Sequence, residues 1–435
     1  MLAKLSSIRP TIGEWQHKDE SLRVLIVSQY FWPESFRIND LAIGLKDRGH
    51  EVTVLTGLPN YPHGKLYPGY DYSSRREYYQ GIEVARVPMV TRGRSVGLRL
   101  LLNYLSYALN ACILGPRLCR KPIDVILVFQ LSPFTVALPA LLMKRVLRAP
   151  ILFWVQDLWP ESLKAANAVH SDWLLSRVDR FVRYVYRRCE RVLVQSRGFI
   201  SYIQTQGVEP ERIRYFPNSA EAFFAPLTPE KCHAEDCEMP AGFRILYAGN
   251  IGVAQAFDTI LNAAERTRHV SEIHWVVIGD GRDGTRVRKA IAERGLGSTV
   301  HMMGARPVET MPRYFAAADV LMVSLKRNPA FAVTIPSKVQ SYLACGKPIL
   351  AALEGEGARV IMEARAGVVC PPEDAERLAA DALRLYSMSS FERAGMGANG
   401  RKYFEENFDS VRLLDQLESW MTEVVEGGEQ KRCAA

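Results

Sequence analysis

Two short stretches of this 435-residue sequence set carboxylates beside aromatic rings. One is Gln29-Tyr30-Phe31-Trp32-Pro33-Glu34; the other is Trp154-Val155-Gln156-Asp157-Leu158-Trp159-Pro160-Glu161. Rings stack on the apolar faces of a pyranose while acids accept its hydroxyl hydrogen bonds, so the pairing suits a sugar. Glu34, Asp157 and Glu161, with Gln156 and Asn39 beside them, are the candidates for such contacts. The same residues also read as core rings and helix caps.

A second kind of chemistry is written further along. Thr334-Ile335-Pro336-Ser337-Lys338 runs straight into an apolar helical pattern, Val339 to Ala344, with Ser341 inside it. Ser337 is placed to cap that helix, and the free N–H groups at its start, with the Lys338 ammonium, would hold a diphosphate. Gly249-Asn250-Ile251-Gly252 ends a strand with two glycines that let a ligand approach the backbone. Gly279-Asp280-Gly281-Arg282-Asp283-Gly284 matches the dinucleotide pattern G-x-G-x-x-G. It follows the second strand of its domain, however, and the next strand ends at Gly304 without an acid to grip a ribose. A tight turn whose N–H groups line a nucleotide pocket is the better reading.

These loops need strands to hold them. Leu22–Gln29, Glu51–Thr56, Asp124–Phe129, Pro150–Val155, Arg191–Gln195 and Arg212–Phe216 are nearly continuous apolar runs, the mark of parallel strands buried on both faces. Helical patterns lie between them, the first with Asn39 as its expected cap. Ala225–Gly242 breaks the rhythm with proline and charge and reads as a linker. The alternation restarts at Phe243–Ala248 and continues through 275–278, 300–303, 319–325, 347–352 and 367–370. The fold expected is α/β: two doubly wound, Rossmann-like domains facing a cleft. The boundaries are a polar leader (1–20), a first domain (21–225), a linker (226–242), a second domain (243–406), and a C-terminal helix and tail (407–435) packing back on the first domain.

Charge divides the same way. Through residue 225, 30 Lys and Arg stand against 19 Asp and Glu, whereas the remainder holds 25 against 28. A basic first half points to an anionic partner there. No nucleic-acid signature accompanies it. Leu98–Gly115 is an apolar helical segment with Arg92, Arg94 and Arg99 before it and Arg117, Arg120 and Lys121 after it. It suggests docking at an anionic membrane surface, with those first three arginines outside the cleft, or else a buried helix with solvated ends. No run reaches the roughly 18 consecutive apolar residues of a membrane span, and the first residues lack a secretory pattern. The eight cysteines are scattered except for Cys232 and Cys237 around His233, which lack a second ligand pair for zinc. No metal site is expected.

Taken together, SQYFWPESFRINDLAIGLKDRGHEVTVLTGLPNYP from Ser28, FWVQDLWPES, YFPNSAE, LYAGNIG and TIPSKVQSYLACGKPILAALEGEGARVI resemble family 4 retaining glycosyltransferases of the GT-B fold. The likeness is strongest to bacterial O-antigen enzymes of the L-fucosamine-transferase type, and runs from about Leu22 to the C-terminal helix. It implies a UDP-sugar donor in the second domain, with Gly249, Asn250, Ile251, Gly252, Ser337 and Lys338 on the diphosphate. Gly279, Asp280, Gly281, Gly304 and Arg306 would flank the base, with Ser341 near the ribose. The acceptor, a polyprenyl-diphosphate-linked saccharide, would meet Glu34, Asn39, Gln156, Asp157 and Glu161. Catalysis would rest on Asp157, Lys338 and Glu34, with no cofactor or metal, at the cytoplasmic face of the membrane.

The chain departs from the family at the donor site. Its two glutamates, eight residues apart, fall on Val333 and Ser341, and its diphosphate-binding Arg and Lys fall on Asn250 and Gln255. Lys338 is then the candidate cation for the leaving group. A UDP-sugar epimerase of the same architecture and a catalytically inactive assembly factor are the alternatives.

Overall fold

The computed structural model describes residues 21–93, 97–165, 171–227 and 238–433, which form two sheets flanked by helices. The polar leader, Arg94 and the Cys232–His233–Cys237 group lie outside the described residues. The first sheet holds β1 (Arg23–Val27), β2 (Glu51–Gly57), β3 (Arg76–Tyr79), β4 (Ile82–Val87), β5 (Val125–Gln130), β6 (Ile151–Val155), β7 (Arg191–Val194) and β8 (Ile213–Tyr215), ordered β3-β4-β2-β1-β5-β6-β7-β8. The second holds β9 (Phe243–Ala248), β10 (Ile273–Ile278), β11 (Val300–Gly304), β12 (Val320–Ser324), β13 (Ile349–Ala352) and β14 (Gly367–Cys370), ordered β11-β10-β9-β12-β13-β14. Every pairing is parallel except the β3–β4 hairpin.

The apolar runs explain the two-sided cover. In β1, Leu25 and Val27 join one core cluster while Val24 and Ile26 join the one on the opposite face. Such a strand must be roofed on both sides, as alternating crossover helices allow. The strand order reverses at β1 in the first sheet and at β9 in the second. Crevices for ligands open beyond the carboxyl ends of the strands at those points.

Two joins tie the halves together. Ala220 and Phe224 already belong to the core of the second domain, ahead of the proline-rich break. The helix Ser410–Cys433 returns to the first domain, where Leu413, Leu417, Met421 and Val424 are buried against its sheet. Arg48 pairs there with Asp415 and Glu418, at 2.6 and 2.5 Å.

Two expected caps are corrected. The first helix runs Arg37–Asp47 with Phe36 at its cap position, so Asn39 sits inside the first turn. Its side chain instead accepts from Trp32 N–H and donates to Glu34 C=O. The helix Ser337–Ala344 takes Pro336 as its cap without a side-chain bond, leaving Ser337 as an exposed first helical residue. The helix Leu98–Leu118 buries Asn103, Tyr107, Ala111 and Gly115. Leu98, Leu101, Leu105, Leu109 and Ile113 stay exposed on another face, Leu98 by 71% and Leu109 by 61%. It is long and apolar enough to cross a membrane by length and composition alone, yet its polar edge is used inside the fold.

Candidate active site

The glycine-rich loops of the second domain meet around Lys338. Gly249 leaves β9 at a φ of +137°, and a Cβ there would stand 2.7 Å from the Lys338 Nζ. Any side chain would therefore push the ammonium away from the strand end, which is why glycine holds this position. Gly279, at the end of β10, has a φ of +142° and backs directly onto the Gly249 carbonyl. Its N–H reaches the Gly304 carbonyl at 2.9 Å, so the loops after β9, β10 and β11 form one contiguous edge. Ile251 N–H donates to the Asp280 carbonyl at 2.9 Å, fixing the first two loops together.

Lys338 lies 5.0 Å above the Tyr247 ring, a cation–π contact, and is half-buried. Burial lowers its ammonium from the ordinary 10.5 to about 8. Among the described residues it makes no ion pair. A desolvated cation beside glycine backbone and a helix start suits a diphosphate. Ser337, Gly252 and Asn250 lie on the same edge, the Asn250 amide 3.4 Å from Gln255, whose oxygen takes the Gly252 N–H at 3.0 Å. Ser341 is buried, its hydroxyl donating to the Ser337 carbonyl at 3.3 Å. Asp280 accepts from Gly281 N–H at 2.8 Å and pairs with Arg288, and Arg306 bonds Tyr314 at 3.2 Å and pairs with Glu238.

Across the cleft, Asp157 follows β6. Its two oxygens accept from the Ser132 and Ser162 hydroxyls, which hold the carboxylate in place. With Glu161 it lines an open cleft of about 650 Å³, lined from the other domain by Asn328, Val333 and Thr334. Gln156 takes the Asn218 amide at 2.8 Å, and the Asn218 carbonyl takes the Gln340 amide at 2.6 Å. A polar chain thus links the loop that carries Asp157 to the helix that carries Lys338. Gly198 adds a close approach, since a Cβ there would meet the Val333 carbonyl at 2.8 Å.

Three expectations fare differently. Glu34 is 1% exposed, and one oxygen accepts the N–H groups of Asn60 and Tyr61 at 2.8 and 2.7 Å. Burial raises its carboxyl to about 7. It binds loop backbone rather than facing an acceptor. Trp154 and Trp159 are core residues, their indole N–H groups donating to the Phe216 carbonyl and the Ser132 hydroxyl. Their rings are not free to stack on a sugar. Arg92, expected away from the acceptor residues, lies over the Tyr61 ring at 5.0 Å.

Sequence reasoning missed Ser132, Ser162, Asn218 and Gln340. Asn218 and Ser132 follow strand ends, where chemistry was to be sought, but neither belongs to a charged or aromatic cluster. No group of three His, Cys, Asp or Glu side chains among the described residues is arranged for a metal.

The comparisons with known proteins agree with this architecture. A family model for a glycosyl transferase 4-like domain matches residues 35–219, and one for glycosyl transferases group 1 matches residues 242–388. The glycosyl transferase WcaI of Escherichia coli (strain K12), named for colanic acid biosynthesis, is 24% identical over 91% of this chain and 98% of its own. A sucrose-phosphate synthase from Thermosynechococcus elongatus superposes with a TM-score of 0.71 at 16% identity, over 93% of this chain and 100% of that one. Anabaena HepE, in complex with UDP and glucose, does so with 0.67 at 14% identity, over 92% and 99%. Two matched domains in sequence, and two doubly wound domains closing on one cleft, make this chain a family 4 glycosyltransferase of the GT-B fold.

Proposed function

We propose that the enzyme moves a deoxy- or acetamido-sugar from a UDP donor to a polyprenyl-diphosphate-linked saccharide during surface polysaccharide assembly, with retention of anomeric configuration. The observation that carries this reading is Lys338, a desolvated cation without an acidic partner among the described residues, set against Gly249 at the switch point of the second sheet. The naming of WcaI for colanic acid biosynthesis and the UDP and glucose in HepE support the substrate class.

As the glycosidic C–O bond breaks, negative charge develops on the diphosphate oxygen that leaves. Lys338, the Asn250 N–H and the first amides of the Ser337 helix stabilise that charge, while the Gly249, Ile251 and Gly252 N–H groups hold the loop itself. The acceptor hydroxyl attacks from the same face and passes its proton to the leaving diphosphate, forming the new C–O bond and free UDP. Asp157, held by two serines, orients the acceptor hydroxyl from the opposite domain. No step calls for a metal, so transfer should persist in excess chelator.

The exposed leucines of the Leu98–Leu118 helix, between Arg99 and Arg117, support docking on an anionic membrane at its cytoplasmic face, where a lipid-linked acceptor is held. The deciding experiment follows UDP release with a panel of UDP-sugars, with and without lipid-linked acceptor. Release only when acceptor is present is the expected result. Interconversion of UDP-sugars without acceptor would instead make the enzyme an epimerase, and silence across the panel would leave an inactive assembly factor.

A further inference from the structure

A second cluster lies between Asp157 and the uncovered leucines, and the donor chemistry does not use it. Asn60, whose N–H is held by Glu34, accepts the Arg92 N–H at 3.0 Å and the Asn103 amide at 3.4 Å. The Gly93 N–H reaches the Gly64 carbonyl at 3.0 Å, so the loops carrying Tyr61 and Arg92 are pinned to each other twice. On that frame the Tyr30, Phe36 and Tyr61 rings meet at centroid separations of 5.1 to 5.8 Å. The Arg92 guanidinium covers Tyr61, and one of its N–H groups lies 3.5 Å from the Tyr30 hydroxyl. Tyr104 stands beside the Tyr30 hydroxyl and within electrostatic reach of both Arg92 and Asp157. At the second residue of the helix Leu98–Leu118, Arg99 is tethered to the same loop through the Thr91 carbonyl and hydroxyl, at 3.1 and 3.2 Å. Neither guanidinium pairs with a carboxylate among the described residues.

We propose that Arg92 and Arg99 form a diphosphate subsite for the acceptor, with its saccharide directed toward Asp157 and its prenyl chain leaving along Leu98, Leu101 and Leu105. The inference rests on the lipid-linked acceptor of the preceding section and names the residues that would grip it. A guanidinium laid on a ring keeps its plane fixed, and Arg92 keeps its donors other than the one near Tyr30, which matches phosphate oxygens better than a mobile ammonium does; Arg99 spends Nε and Nη2 on Thr91 and keeps Nη1. Two guanidinium groups anchored to one loop suit two linked phosphates. A neutralising carboxylate beside them would have closed the site. The exposed apolar stripe begins at Leu98, immediately before Arg99, so charge and apolar surface are continuous, as in a prenyl diphosphate.

The test uses the full-length protein saturated with UDP, so that the donor site is occupied, and titrates farnesyl diphosphate, inorganic pyrophosphate and glucuronate by calorimetry. Farnesyl diphosphate should bind at least tenfold more tightly than pyrophosphate. Arg92→Gln should weaken farnesyl diphosphate tenfold or more, Arg99→Gln less, and Arg92→Lys should recover only part of the loss. UDP affinity and the unfolding temperature should stay unchanged in all three variants. The subsite is refuted if Arg92→Gln binds farnesyl diphosphate as the wild type does. It is equally refuted if glucuronate alone shows the Arg92 dependence. Pyrophosphate binding as tightly as farnesyl diphosphate removes the lipid half. Farnesyl diphosphate binding through Arg92 without sugar transfer to any lipid-linked acceptor keeps the subsite and sinks the proposed acceptor class. Transfer to lipid-linked acceptor at wild-type KM in Arg92→Gln does the reverse.

Discussion

Replacing Lys338 with methionine should stabilise the protein without ligand while disabling it. The drop of the ammonium from 10.5 to about 8 means that burying it charged costs about 3 kcal/mol. That cost is present in full below pH 8, where folded and unfolded lysine are both protonated. It fades between 8 and 10.5, because there only the unfolded chain still binds the proton, and stability rises with pH. Methionine keeps most of the stem's packing and carries no charge. Lys338→Met should therefore unfold several degrees higher than the wild type at pH 7, with the gap closing by about pH 10.5. The diphosphate reverses the balance, since it supplies the missing partner. UDP should bind the wild type tightly below pH 8 and progressively more weakly above it, while the variant shows weak binding with no such slope. Turnover in Lys338→Met or Lys338→Ala should fall by roughly two orders of magnitude or more. Thermal scans with and without UDP across pH 6 to 10.5 measure both halves. A variant less stable than the wild type at pH 7, or one turning over normally, would refute the assignment of Lys338 as a strained cation kept for the donor.

Asp157→Asn should slow transfer by at least tenfold while leaving UDP affinity within about twofold, because the carboxylate stands in the domain opposite the proposed nucleotide site; parallel losses in transfer assay and UDP titration would move it to the donor side. Glu34→Gln should retain activity and change the pH profile of unfolding instead. With the folded carboxyl at about 7, against an ordinary 4.5, wild-type stability should fall by about 3 kcal/mol as pH rises from 4.5 to 7. The glutamine variant should be flat across that window, and an inactive variant of normal stability would restore Glu34 to the chemistry. Leu101, Leu105 and Leu109, changed together to Ser, should lower co-sedimentation with anionic vesicles at high salt, where charge attraction is screened within several ångström, and leave the charge-driven part at low salt intact. Wild-type protein that never sediments with such vesicles excludes the docking face.

The fold was legible because buried parallel strands advertise themselves. Phe243–Ala248 and Gly367–Cys370 are observed at the limits their apolar runs suggest, and the glycine-rich ends of β9 and β10 lie side by side at the carboxyl edge of the second sheet. The β3–β4 hairpin was not, since Arg76–Tyr79 is half-exposed at a sheet edge and carries no continuous apolar signal. Lys338 could be picked out as a basic residue at a helix start, but its burial comes from Tyr247 and Gly249, almost ninety residues away. Glu34 and Asn39 misled for a related reason: their partners are backbone groups of residues 32, 34, 60 and 61, and no side-chain pattern records a backbone bond. Tyr104 sits within an apolar run that carries no sign of its neighbour Tyr30 or of the Asp157 charge it feels from a separate loop.

The returning helix Ser410–Cys433 has a consequence for biosynthesis. Strand β8 ends at Tyr215, but the apolar surface that Leu413, Leu417, Met421 and Val424 cover belongs to the sheet it completes. About 200 residues must be translated between the two, which at about 5–20 residues per second takes on the order of ten to forty seconds. During that interval the first domain stands on the ribosome with part of one sheet face bare, the rest being covered by Ile38, Ala42 and Leu45 of its first helix. A chain cut at Phe408 should keep that surface open permanently and bind more of a hydrophobic dye than the full chain does. The half of the enzyme that is made first is thus the half that finishes folding last, and its completion certifies that the donor domain has been synthesised to the end.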